Sequence, residues 1–240
     1  GVQTETFTFA RGASEITVGG AFNVGLGSTV YLASDRETGG SVVIRANSLT
    51  VDEKASITAD RRGFGFDQAG LVTPQTVGKG WEYSIGGGYG GYGRTSSYPY
   101  HSDTYGLTYG NEYAPIHPGA GSGQYANQPV CGGGLIRAHA KSMTINGRLT
   151  ADGPAKGEAG YTGLGAPSGG GIWLTANNFA FGANARLSAK GGDSNYTSEG
   201  GGGRIAIGYR LTDDQISTLA TTGDLAHSRK GGLSMFLATF

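Results

Sequence analysis

The sequence predicts an all-β fold: a right-handed parallel β-helix of about five coils, with a long Gly/Tyr-rich insertion and one short helix. Three observations lead there. One phrase recurs along the chain, apolar and polar residues alternate within it, and a run of glycines introduces its fullest copies. Those copies are Gly132–Gly153, GGGLIRAHAKSMTINGRLTADG, and Gly169–Gly191, GGGIWLTANNFAFGANARLSAKG. A less glycine-rich copy runs Gly39–Asp60, GGSVVIRANSLTVDEKASITAD, and a truncated one runs Gly200–Tyr209, GGGGRIAIGY.

The chain opens with short β-type runs at Thr6–Phe9, Glu15–Val18, Ala21–Val24 and Thr29–Leu32. Small or polar residues bound each, as strands require, so residues 1–38 are expected to hold a first coil, or a coil and a half. The explicit repeat follows, and a period of this size indicates a solenoid. Val42, Ile136 and Ile172 share one inward column, and Ile44, Ala138 and Leu174 the next. After a turn come Leu49, Met143 and Phe179, then Val51, Ile145 and Phe181. A third strand supplies Ile57, Leu149 and Leu187, then Ala59, Ala151 and Ala189. Alternation of period two on three strands, matched across three copies, is the β signature. One coil cannot bury its own apolar face, but stacked neighbours can.

Spacing sets the organisation. Ala140 and Ala176 lie 36 apart, whereas Ala46 and Ala140 lie 94 apart, so an insertion separates the first two clear copies. Residues 1–60 are read as N-terminal coils, 61–130 as the insertion and 131–240 as C-terminal coils of one continuous solenoid. The loops 61–130, 153–168 and 191–200 leave the repeat at one column and are expected along one edge. Thr212 and Gln215 have capping-box spacing ahead of Ile216 and Leu219, which predicts the helix over Leu211–Leu219. A last coil is expected near Leu233–Ala238. The apolar C-terminus and the strand-like Thr4–Phe9 leave both ends without a polar cap.

The insertion holds nine of the 13 tyrosines: 83, 89, 92, 98, 100, 105, 109, 113 and 125. Gly87–Gly93, GGYGGYG, has a three-residue period that sets Tyr89 and Tyr92 on one side of a polyproline-II-like strand. So aromatic a segment is expected to form an ordered lobe beside the two shorter loops.

Composition narrows the function. Lys+Arg and Asp+Glu are both 18, for zero net charge, with no basic run to neutralise phosphates, so nucleic acid is not an expected partner. No apolar run approaches the ~20 residues that cross a bilayer. Glycine at 47 of 240 is far above the ordinary ~7%, which calls for regular use of glycine. Cys131, the one cysteine, excludes an intramolecular disulfide and reads as a small buried hydrophobe. The chain begins with Gly1 instead of Met, the expectation for a form whose leader has been removed and which works outside the cell.

The chemical motifs are few. The glycine runs lack the lysine and the strand–loop–helix setting of phosphate loops. Cys131 and His139 have no third residue to orient them, and His101 with His117 is too sparse for a metal site. No cofactor and no metal is expected. A polysaccharide lyase or hydrolase needs clustered carboxylates. Asp60 and Asp152 share a column, but Lys190 follows them, which indicates turn chemistry. What faces out is the strip Val43, Arg137, Trp173 and Ala206, flanked by Arg45 and His139. There Trp173 can stack on a sugar ring, pack on another subunit, or pack under a loop. Asn195-Tyr196-Thr197 is a glycosylation sequon.

The phrase GGGxIxIxA…LxIxGxLxAxG resembles glycine-rich β-helical repeats of secreted and cell-surface proteins, broadly of the pectin-lyase-like class. The resemblance implies a fold and an extracellular or cell-surface habit, and it transfers no catalytic motif. The leading expectation is a non-enzymatic structural protein whose solenoids join end to end into a filament or surface layer. Phe7, Phe9, Met235, Phe236 and Phe240 would then lie at the joints. The alternative is a carbohydrate-binding adhesin or matrix module, with Tyr89, Tyr92, Tyr98, Tyr100, Trp173, Arg137 and His139 as its contact residues.

Overall fold

The computed structural model describes residues 14–65, 86–94, 106–122, 130–155, 165–194, 199–215 and 235–237. Strands dominate these residues and lie in two sheets. The larger has the order β1-β3-β5-β7-β9-β10, from Glu15–Val24, Val43–Val51, Leu135–Ile145, Gly171–Phe181, Arg204–Tyr209 and Met235–Leu237. The smaller is β2-β4-β6-β8, from Thr29–Tyr31, Ser56–Thr58, Arg148–Thr150 and Arg186–Ser188. Every pairing is parallel except β9 with β10.

The sequence columns are the hydrogen-bonded register. Ile44 pairs with Ala138 and that with Leu174; Leu49, Met143 and Phe179 align, as do Ile57, Leu149 and Leu187. These side chains form the main core cluster, with Ile44, Val51, Ile136, Ile145 and Leu149 wholly buried. The three strands expected per repeat are two here, because the first two belong to one long bent strand. Inward residues are 44 and 46 before the bend and 49 and 51 after it, so the alternation changes parity at Asn47. The Asn47 side chain donates to Gly19 O across that corner, where β1 carries its register shift. Long strand and short strand are joined by tight turns, such as Ala55 N–H to Asp52 O at 3.0 Å and Ala185 N–H to Gly182 O at 3.0 Å.

The glycine runs build something other than sheet. Residues 165–170 hydrogen-bond to six different segments. The carbonyls of Ala166, Pro167 and Ser168 accept from Gly87, Gly192 and Gly133 at 2.9, 2.8 and 2.9 Å. The N–H groups of Ser168, Gly169 and Gly170 donate to Ala120, Gly201 and Ala151 at 3.0, 3.0 and 2.7 Å. A flat strand has two neighbours; an extended helix with three residues per turn points successive groups in three directions. Packed this way, the chains approach through their backbones. A Cβ on Gly63, Gly119, Gly133, Gly170 or Gly203 would come closer than 3.0 Å to a neighbouring carbonyl oxygen. Glycine is therefore required here for proximity, and none of these residues has a positive φ.

Several expectations are corrected. The last strand, β10, runs antiparallel to β9, so the chain reverses instead of adding a coil. Met235 and Phe236 accordingly pair within the chain, with Gly208 and Ile207. The capping box is present, Gln215 N–H to Thr212 Oγ1 at 3.2 Å and Thr212 N–H to Gln215 Oε1 at 2.9 Å. It opens a helical turn at 213–215, while Ile216 and Leu219 lie outside the described residues, as do Phe7, Phe9 and Phe240. No helix among the described residues is long and apolar enough to cross a membrane.

The glycine contacts give a direct expectation. Gly133→Ala should lose more than about 4 kcal/mol in urea unfolding, because only backbone surrounds the new methyl group. Gly202→Ala, with nothing within 4 Å, should change stability by less than about 1 kcal/mol. Equal effects would sink the close-approach account.

Candidate functional site

The outward strip is built by the parallel register. Glu15, Val43, Arg137, Trp173 and Ala206 fall side by side on five adjacent strands, and Thr17, Arg45, His139, Thr175 and Gly208 form the next row. Its centre does not face solvent. Trp173 is 1% exposed and packs with Ala114, Ala206 and Leu211, with Tyr113 and Ile116 beside them. Of the three uses open to Trp173, packing under a loop is the one found, and sugar stacking at this ring is corrected. Its indole meets the His139 imidazole edge-on, centroids 5.0 Å apart. Nδ1 of that imidazole shares a 2.7 Å hydrogen bond with Thr175 Oγ1. Arg137, 9% exposed, donates through Nη2 to Ser41 O at 2.7 Å.

The covering strap is residues 106–122 of the insertion. An Asx turn starts its inner part, Asn111 Oδ1 accepting from Tyr113 and Ala114. Tyr109 anchors the other side by donating to Pro118 O. Tyr89 lies fully buried against Tyr109, ring centroids 4.7 Å apart, and forms with Phe64 and Ala120 a separate apolar cluster. The Arg204 guanidinium sits 5.4 Å from the Tyr89 ring and donates to Tyr109 O at 3.0 Å. Burial holds both phenols protonated, Tyr89 and Tyr109 each pushed well above the usual tyrosine value. Tyr92, by contrast, is 65% exposed. The expected shared side is lost because the chain bends at 89–91, where Gly90 and Gly91 both donate to Gly202 O. Tyr98, Tyr100 and Asn195 lie outside the described residues.

The carboxylate column performs turn chemistry. Asp60 accepts from Asp152 N–H at 2.7 Å and Thr150 Oγ1 at 2.8 Å. Asp152 does the same one sequence repeat on, with Lys190 N–H at 2.7 Å and Ser188 Oγ at 2.7 Å. Each aspartate thus clamps the following repeat. Cys131 is buried and free, its thiol pushed up by burial. Among the described residues no group of three His, Cys, Asp or Glu could hold a metal ion.

Sequence reasoning did not find the surface at the far end of the smaller sheet. On β7, β9 pairs along Gly171–Ala176 and leaves residues 177–181 beyond it. Beyond residues 178–181 and β8, no further strand lies among the described residues. There Phe179 and Phe181 stack with centroids 5.8 Å apart, and Phe181 is 47% exposed. Phe181, Leu187, Ile205 and Ile207 border a cleft of about 890 Å³. The signal was the abrupt end of the repeat after Tyr209.

Comparison with known proteins finds no match to any family model, to any curated protein or to any solved structure.

Trp173→Ala should cost about 3–5 kcal/mol of stability, as large core truncations do, measured by chemical unfolding. A loss below about 1 kcal/mol would contradict the covered strip. His139 gives a pH test. Burial first, then the charges of Arg45 and Arg137, hold its folded pKa down at about 3, against 6.5 ordinarily, with Glu15 opposing. Below pH 6.5 the unfolded chain takes up a proton that the folded one refuses. Stability therefore falls with pH, by up to about 1.4 kcal/mol per unit from this group. His139→Asn should lose correspondingly less between pH 7 and pH 5; identical losses would overturn the assignment.

Proposed function

We propose that this chain is a non-enzymatic structural protein of the cell exterior, a right-handed β-helix whose copies stack end to end. The observation that carries the reading is the behaviour of the inward columns at their two ends. Ile57 and Leu149 are wholly buried, whereas Val30 before them and Leu187 after them are half-buried. Leu49 and Met143 are buried, while Phe22 and Phe179 are not fully covered. Ile44, Ala138 and Leu174 are buried, between half-buried Ile16 and Ile207. Both ends are thus cut faces of one apolar core.

A second copy suits these faces because it continues the register already repeated within the chain. β2 and β8 have the same length, so β2 of the next copy can pair with the outer edge of β8, on which no strand lies among the described residues. Its Val30 then extends the Ile57–Leu149–Leu187 column, and its Phe22 and Val24 cover Phe179 and Phe181. Open strand edges attract such pairing, and a head-to-tail contact that does not close gives a filament. The parallel in-register sheets support the β-helix, with the glycine segments as its remaining wall. The extracellular setting rests on the resemblance of the repeat to secreted β-helices.

Carbohydrate binding is the weaker reading. Of its aromatic candidates among the described residues, Trp173 and Tyr89 are buried and only Tyr92 is exposed.

Sedimentation velocity and electron microscopy test the assembly. Elongated particles that lengthen with protein concentration are expected. Phe181→Glu combined with Leu187→Glu should leave monomers with an unchanged circular dichroism spectrum. A wild-type chain that stays monomeric at high concentration and physiological salt would falsify stacking.

A further inference from the structure

Two buried hydrogen-bond donors on neighbouring strands have no acceptor. Arg137 on β5 and Trp173 on β7 are direct register partners, so their side chains leave the same face of adjacent strands. Strands in a sheet are about 4.8 Å apart. The Arg137 Nε and the Trp173 Nε1 are both inaccessible and have no hydrogen-bond partner.

Among the described residues no carboxylate pairs with the guanidinium. Among the described residues the charged and titratable groups that act on it are Arg45, His117 and His139, and Glu15 lies beyond them, acting on His139. Glu15 is engaged by Arg45 at 2.9 Å and by Thr17 at 2.7 Å. Burial lowers the Arg137 pKa to about 10, so the group is still charged at neutral pH. An uncompensated buried charge is strongly destabilising, and buried donors are normally satisfied.

We infer that Arg137 Nε and Trp173 Nε1 together bind a small monovalent anion of halide size, on the outer face of the larger sheet beneath the strap. An anion answers both needs at once, accepting from two donors and neutralising the guanidinium. A water molecule would accept from both but leave the charge, and would have to place its own O–H bonds. Size is limited by the strap, which sets Pro115 and His117 O within about 3.3 Å of the Cβ position at Gly171, the next strand residue but one before Trp173. The bound anion would lock the strap to the sheet without taking part in stacking between copies.

The test uses the full chain. At fixed ionic strength and pH 7, Tm should be about 3 °C or more higher in sodium chloride than in sodium gluconate, saturating with chloride. Arg137→Met should abolish the difference, and Arg45→Met should keep it. Should Arg137→Met fail to fold, chloride NMR on the wild-type protein decides: line broadening that bromide displaces is expected. Equal Tm in both salts together with unbroadened chloride would overturn the inference and assign the two donors to water. A chloride effect that survives in a folded Arg137→Met would overturn it as well.

Discussion

Backbone can lie against backbone only where no side chain intervenes, and the interior position of residues 165–170 depends on that. Six residues distant in the chain, Gly87, Ala120, Gly133, Ala151, Gly192 and Gly201, converge on this segment, each through a main-chain hydrogen bond. Such contact satisfies polar groups that would otherwise be buried unpaired. It also leaves no space for Cβ atoms at the points of closest approach. Pro167 fits the same demand, since its ring fixes an extended φ and its missing N–H is not needed where its carbonyl does the bonding. The glycine runs thus join loops that are distant in sequence into one body beside the sheets.

That body decides what the outer face of the larger sheet can do. Segments 86–91 and 119–122 are tied into it through Gly87, Gly119 and Ala120, and the strap between them is carried across Trp173. The strip that the strands present is covered as a result. Its indole, imidazole and guanidinium become interior groups whose pKa values and hydrogen bonds are set by burial. The same order explains the tyrosines. Tyr89 and Tyr109 are inner packing between lattice and strap, and Tyr92, past the bend, is on the surface.

The two ends of the core differ in how they stop. β1 and β2 begin the two sheets, and no strand among the described residues pairs with their outer edges. At the other end the larger sheet finishes on antiparallel β10, whereas the smaller one finishes on β8 above an apolar cleft. The direction of growth in a stack of copies would follow from this polarity. Asp60 and Asp152, which clamp each repeat to the following one, have the same polarity, and the third repeat carries Lys190 in that column.

Much of the fold was legible because strand periodicity is local. Inward columns at 44, 49 and 57, the turn role of Asp60 and Asp152, and the Thr212–Gln215 cap all follow from spacing along one stretch of chain. The merging of two predicted strands into one was not legible, since a bend and a turn give the same change of parity. Nor was the reversal at β10, because an apolar strand reads alike in either direction. The exposure of Arg137, His139 and Trp173 depended on where residues 106–122 travel, and no local pattern records that. The sequence by itself determined which residues point into the core and which glycines repeat, through side-chain volume and alternation. Only the tertiary structure decided that those glycines bring six chain segments together, and that the outward strip lies beneath a strap, because both result from contacts between residues distant in the chain.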